Sequence, residues 1–284
     1  MIMCLLIRGY VKIEKCCNFS SISPAFVDDV AFVSNQTQMN NIEITPPPLS
    51  CNNSLIELLA LADSRISRSG STACFDIGGP YSRDKAWEHC YEFFRQNGQE
   101  LCLPSPSHEL LAQAASEVSC YLAFFGMFRG SKLLNTNRDF FIPVIQNCWQ
   151  QVPESLNPMG TTNPVFVANT RRVLRKSLKE QFSRIGSSTL YVSDILVSKI
   201  MLGMFACTPA YDSNVQRGIL ELAYSELAPT FNANISKWHA FMTTDIVDAF
   251  FREKRKSYYG CDSDLPLNRI ADLFFFQLGF TSNL

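Results

Sequence analysis

Between Val197 and Gly218 the chain reads as an apolar helix carrying a single lysine, Lys199, a break at Thr208-Pro209, and an aspartate, Asp212, that opens a second helix. Ile195, Met201, Leu202 and Phe205 recur at helical spacing, and Pro209 biases the residue before it away from helix. Asp212 stands where the backbone N–H groups of a new helix need an acceptor and where the positive end of the helix dipole favours a negative charge. A lysine set in so apolar a helix needs a counter-charge. That requirement constrains the fold more than any other feature of the sequence.

Elsewhere the same periodicity dominates. Ser54 is a candidate cap for a helix rich in Leu55, Ile56, Leu58, Leu59 and Leu61. Gly78-Gly79-Pro80 breaks the chain, and Ser82 starts a helix that places Trp87, Cys90, Tyr91 and Phe94 on one face and closes at Asn97-Gly98. Ser105-Pro106 has the form of a cap followed by a first-turn proline, opening a helix with Leu110, Leu111, Ala114, Ala115, Val118, Tyr121, Leu122 and Phe125 inward. Gly126 and Gly130 after it suit close backbone packing or a helix-ending turn. Phe140, Phe141, Val144, Ile145 and Trp149 predict a buried helix around Pro143, and residues 153–168 a long loop. Asn169 or Thr170 then caps a helix through Ile185. The helix begun at Asp212 continues through Ile219, Leu220 and Ala223, another spans Ser236 to Tyr258, and the last runs from Pro266 to Leu278 with Gly279 as its cap. No alternating strand pair, hairpin dipeptide or fixed-period repeat occurs. The expected fold is all-α: one multi-helix domain over 54–284 behind a poorly ordered tail and proline-rich linker over 1–53, which ends in Pro46-Pro47-Pro48 and has room for a short strand at Ala25–Val33.

Composition narrows function mainly by exclusion. A formal net charge of -1 gives no general pull toward nucleic acid or anionic lipid, and the absence of a long apolar run predicts no membrane partner. The 11 cysteines include no C-x-x-C and no secretion signal precedes them, so they are expected to be reduced thiols in a cytoplasmic protein. The glycosylation triplets at Asn18, Asn35, Asn52 and Asn234 then carry no meaning. His89, His108 and His239 lie too far apart in sequence for a metal motif, and there is no phosphate loop and no nucleophile elbow, so no metal and no cofactor is expected. The strongest local charge lies on the 171–184 helix, where Arg171, Arg172, Arg175, Lys176, Lys179 and Arg184 face only Glu180. It reads either as a solvated outer face or as a candidate nucleic-acid contact.

Two resemblances add to this. Pro209-Ala210-Tyr211-Asp212-Ser213-Asn214-Val215-Gln216-Arg217 resembles the P-x-x-D-(S/T)-N-V-x-R segment of helix-hairpin-helix DNA glycosylases. The resemblance implies that Asp212 opens a helix and stabilises charge developing on deoxyribose, with Lys199 the nearest lysine; these two are the candidate catalytic residues. The superfamily's L-P-G-(V/I)-G-x-x-T-A hairpin has no counterpart in Tyr191–Lys199, which contains no glycine, so what is implied is a DNA-associated relative without the full catalytic machinery. More broadly, Tyr121–Ser131, Phe141–Ile145, Lys199–Gly203 and Pro209–Asp212, in that order, are similar to a family of uncharacterised bacterial helical proteins, which implies a helical fold and no particular activity.

The leading expectation is therefore a cytoplasmic helical protein that acts through interaction rather than catalysis, its partner not identified by the sequence; the alternative is DNA association through the 171–184 helix. Arg129 and Lys199, each costly to bury alone, are expected to form a buried charge network with Asp212, with Asp139 and Asp194 as further acidic candidates.

Overall fold

A computed structural model describes residues 49–68, 84–129, 131–153, 155–186, 191–224, 226–260 and 263–282. Those residues form ten α-helices and no strand. The first 48 residues of the expected tail, with the strand suggested at Ala25–Val33, lie outside the described residues, as do Gly78-Gly79-Pro80 and Ser82.

Helix α1 (Leu49–Arg68) begins before the expected cap at Ser54, so the end of the expected linker is helical. It buries Leu55, Leu59, Ala62 and Ile66, one stripe at helical spacing, and leaves Ile56 and Leu61 exposed; the close-set leucines are not all core. Helix α2 (Asp84–Leu101) buries Trp87, Cys90, Tyr91 and Phe94 as expected. It runs through Asn97-Gly98 because Gly98 faces the Trp149 ring, which a Cβ there would meet at 3.0 Å.

Helix α3 (His108–Phe124) is capped by Ser107, not Ser105. It ends at Gly126, whose φ of 73° lets Gly126 N–H reach Ala123 O and Met127 N–H reach Leu122 O. Nothing lies within 4 Å of a Cβ on Gly126, so this glycine serves the turn and not close packing. Two 3-10 turns follow, Lys132–Asn135 and Arg138–Phe141, then α4 (Ile142–Trp149) with Pro143 in its first turn.

Helix α5 (Pro164–Arg184) starts inside the expected loop. The cap is Asn163, whose Oδ1 accepts from Val165 and Phe166 N–H, and Pro164 takes the first helical position. Cap-plus-proline is the signal expected at Ser105-Pro106; the chain uses it at Asn163-Pro164 instead. Helices α6 (Asp194–Phe205) and α7 (Ser213–Glu221) follow. The single helix expected from Ser236 to Tyr258 is two, α8 (Phe231–Met242) and α9 (Asp245–Tyr259). Thr243 and Thr244 separate them, their hydroxyls donating back to His239 and Phe241 carbonyls and competing with the helical ladder.

Helix α10 (Leu267–Thr281) runs through Gly279. That glycine is no cap: α7 and α10 make the most extensive contact of any two helices, and Gly218 and Gly279 stand where the backbones meet. From Leu196 to Phe205 every residue of α6 is buried, and α10 is buried along most of its length. These two helices carry the residues from which the candidate site is built.

Candidate functional site

Ser193 starts α6 by accepting from Leu196 N–H, and Ala206 stops it in the left-handed region at φ 47°, its N–H still reaching Leu202 O. The chain then returns as a buried, non-helical run, Cys207 to Tyr211. Pro209 has no N–H to satisfy. Ala210 N–H donates to Asp272 Oδ1 at 2.8 Å and Tyr211 N–H to Ser198 Oγ at 2.9 Å, so side chains from α10 and α6 hold the run. The Tyr211 hydroxyl accepts from Asn234 Nδ2 at 2.6 Å. Asn234 is fully buried, which removes its glycosylation triplet from solvent.

Asp212 ends the run and starts α7. Its Oδ1 accepts from Asn214 and Val215 N–H, each at 3.1 Å, and its Oδ2 takes Lys199 Nζ at 3.1 Å. Lys199 is 5% exposed and lies 5.2 Å from the centre of the Phe125 ring. The lysine therefore has the acidic partner that its apolar helix demanded.

Arg129 takes no part in this network, being exposed near the end of the turn after α3. The buried arginine is Arg269, at 1% exposure, which sequence reasoning passed over. Its guanidinium bridges Asp84 of α2 at 2.7 Å and Asp272 of its own helix, and lies 4.9 Å from the Trp87 ring and 5.7 Å from Phe125. The signal was an Arg-x-x-Asp pair within an apolar stretch, which on a helix puts both charges on one buried face. Of the other acidic candidates, Asp139 pairs with Arg138 at the surface and Asp194 with α5.

The site thus gathers Lys199 and Arg269 with Asp84, Asp212 and Asp272, one carboxylate in excess. Burial is the main cause that pushes the Asp272 carboxyl up to about 6, the charge of Asp212 adds to the rise, and Arg269 and Lys199 oppose it. A carboxyl raised in the folded state contributes stability that is complete below the unfolded value and is lost as pH rises through the folded one. Wild type is therefore expected to lose ground to Asp272→Asn as pH goes from about 4 to about 7, in urea titrations of both proteins. A constant gap between them across that window would rule out Asp272 as the titrating group.

The basic helix divides by rotation. Arg171 and Arg175 turn inward to share Asp194 Oδ1, at 3.1 and 2.8 Å, and Arg171 lies 5.5 Å from the Phe231 ring. Arg172 donates to Asn169 at 2.7 Å and stays exposed with Lys176, Lys179 and Arg184. Two of the five candidate nucleic-acid contacts, Arg171 and Arg175, thus hold α5 to the start of α6. Among the described residues no three His, Cys, Asp or Glu side chains gather as a metal site, and no helix is long and apolar enough to cross a membrane. Cys90, Cys102, Cys120, Cys148 and Cys207 are free thiols, and burial pushes those of Cys90, Cys148 and Cys207 well up, away from reactive thiolate.

Compared with protein-family models, with curated proteins and with solved structures, the chain matches none.

Proposed function

We propose that this protein works by binding a partner, and that the ion cluster around Lys199, Asp212 and Arg269 is a device for holding four helices together and not a reaction centre. One observation carries the reading. Both Asp212 oxygens are engaged, one by the first turn of α7 and the other by Lys199, in a setting where the lysine is almost wholly buried. A carboxylate held in this way has three of its roughly four acceptor sites taken by the protein, and an ammonium in contact with it is poorly placed as a nucleophile. Neither of the two hollows described in the next subsection is lined by any member of the cluster.

A second reading, DNA association of the helix-hairpin-helix type, draws on the same pair, because Asp212 opens α7 and meets Lys199 as that resemblance implies. The exposed cations of α5 would then lie on phosphates.

One pair of variants separates the readings. Asp212→Asn keeps a good cap but leaves Lys199 buried without its counter-charge, at a cost of about 3–5 kcal/mol. Adding Lys199→Met removes the stranded charge and is expected to restore most of that loss in urea unfolding. The folded double variant should then capture the same partners from cells as wild type. Wild type should release no base from duplexes carrying deaminated, oxidised or alkylated bases. Base release that disappears in the double variant would overturn the proposal in favour of the second reading.

A further inference from the structure

Away from the ion cluster, the turn after α3, the first 3-10 turn, the last turn of α5 and the lead-in to α6 enclose a hollow of about 270 Å³, lined chiefly by Met127, Leu133, Phe182, Val192 and Leu196. A second, more open hollow is lined by Leu134, Phe140, Gln181 and Ile185, chain neighbours of Leu133 and Phe182 among them. The rims are apolar and exposed: Tyr191 is 73% exposed, Leu134 62% and Ile185 46%. So many large apolar side chains in solvent around one depression mark an interaction surface.

The lining decides what kind of group enters. Of the three hydroxyl-bearing residues that line the hollow, Ser131 and Ser193 are already engaged in capping, Ser131 Oγ accepting from Leu133 N–H and Ser193 Oγ from Leu196 N–H, and Tyr191 stands exposed at the rim. A nucleobase would bring donors and acceptors that the apolar lining of Met127, Leu133, Phe182, Val192 and Leu196 does not meet, whereas an apolar side chain against those residues leaves nothing unsatisfied. Small-molecule sites begin at about 300 Å³, so this volume suits one large side chain better than a whole ligand.

Charge decides what surrounds that side chain. Lys132 lines the hollow, and Arg129, Lys179 and Arg184 stand within three positions of its lining residues in the chain, all four exposed. Asp139, which lines the second hollow, is already held by Arg138. We infer that this face docks an acidic segment of a partner protein, which inserts one large apolar side chain between Tyr191 and Phe182 while its carboxylates meet the flanking cations. The inference rests on the interaction reading above and names the partner's chemistry.

The test uses the full chain and a fluorescent peptide with a central Trp-Leu flanked by Asp and Glu. Binding is expected to saturate, to weaken as salt rises, and to fall about tenfold for Tyr191→Ser with Leu134→Asp and again for Lys179→Glu with Arg184→Glu. All four positions are exposed, so the variants should keep the wild-type unfolding midpoint. A control peptide with alanines in place of Trp-Leu, and a basic peptide that keeps them, should both fail to bind. Equal binding of the alanine peptide, or of the wild-type peptide to the Tyr191 and Leu134 variant, would overturn the inference. So would a single-stranded oligonucleotide that binds through Tyr191 when the peptide does not. If no peptide binds but affinity capture still returns partners that the Tyr191 and Leu134 variant also captures, this face is wrong and the interaction reading stands.

Discussion

Gly218→Ala and Gly279→Ala are each expected to destabilise the chain by more than about 4 kcal/mol, at the upper end of what a single methyl group does. At Gly218 the new Cβ would sit 1.9 Å from Phe275 O, and at Gly279 1.9 Å from Asn214 O. Both obstacles are backbone, so no rotamer change relieves them. The helices must part, and parting them takes away the bond from Arg217 Nη1 to Gly279 O at 3.0 Å and loosens Asp272 from Ala210 N–H. Gly126→Ala is the matched control: φ there is 73°, but nothing lies within 4 Å, so the cost should be the left-handed backbone penalty alone, about 1–2 kcal/mol. Urea unfolding midpoints of the three variants give the comparison directly. If Gly218→Ala came within about 1 kcal/mol of wild type, the close crossing of α7 and α10 would be wrong.

That crossing also marks where reading the sequence stops. Asp212 as a cap, the break at Pro209 and the need of Lys199 for an acid are local: each follows from one residue and its near neighbours in the chain, and each is present in the fold. Gly279 was legible only as a residue near a helix end, because what makes it necessary is Asn214, a residue on another helix. Likewise, a count of cations on α5 gives charge but not rotation. Only the position of Asp194 shows that Arg171 and Arg175 face inward while Arg172, Lys176 and Lys179 do not. Arg129 reads as a buried arginine because it adjoins an apolar helix, yet that helix ends at Phe124 and the turn through Gly126 delivers Arg129 to solvent. Arg269 was hidden by the opposite effect. In sequence it sits at the start of a helix, where charge is ordinary, and its burial shows only in tertiary contacts, with Asp84 and Trp87 of α2 and with Phe125 after α3 among them.

Arg269→Met should be about as damaging as the glycine changes, but with a pH dependence they lack. Removing the guanidinium leaves Asp84, 8% exposed, and Asp272, 4% exposed, without their shared cation, and breaking a buried ion pair from one side costs about 3–5 kcal/mol. Arg269→Lys is not expected to rescue, since all N–H groups of an ammonium share one nitrogen, whereas the guanidinium sets two nitrogens apart, Nη2 on Asp84 and Nη1 on Asp272. Without the cation, burial raises the Asp272 carboxyl further, and a raised carboxyl is least costly when protonated. The gap to wild type should therefore be widest near neutral pH and narrow toward about pH 4. The Gly218→Ala gap should not change in this way. Adding Asp84→Asn and Asp272→Asn to Arg269→Met removes the stranded charges while residue 272 still offers an oxygen to Ala210 N–H. That triple variant should regain most of the lost stability at neutral pH and lose the acid recovery. A pH-independent Arg269→Met penalty, measured by urea unfolding across that window, would mean that the arginine acts through its packing on Trp87 and Phe125 and not through its charge.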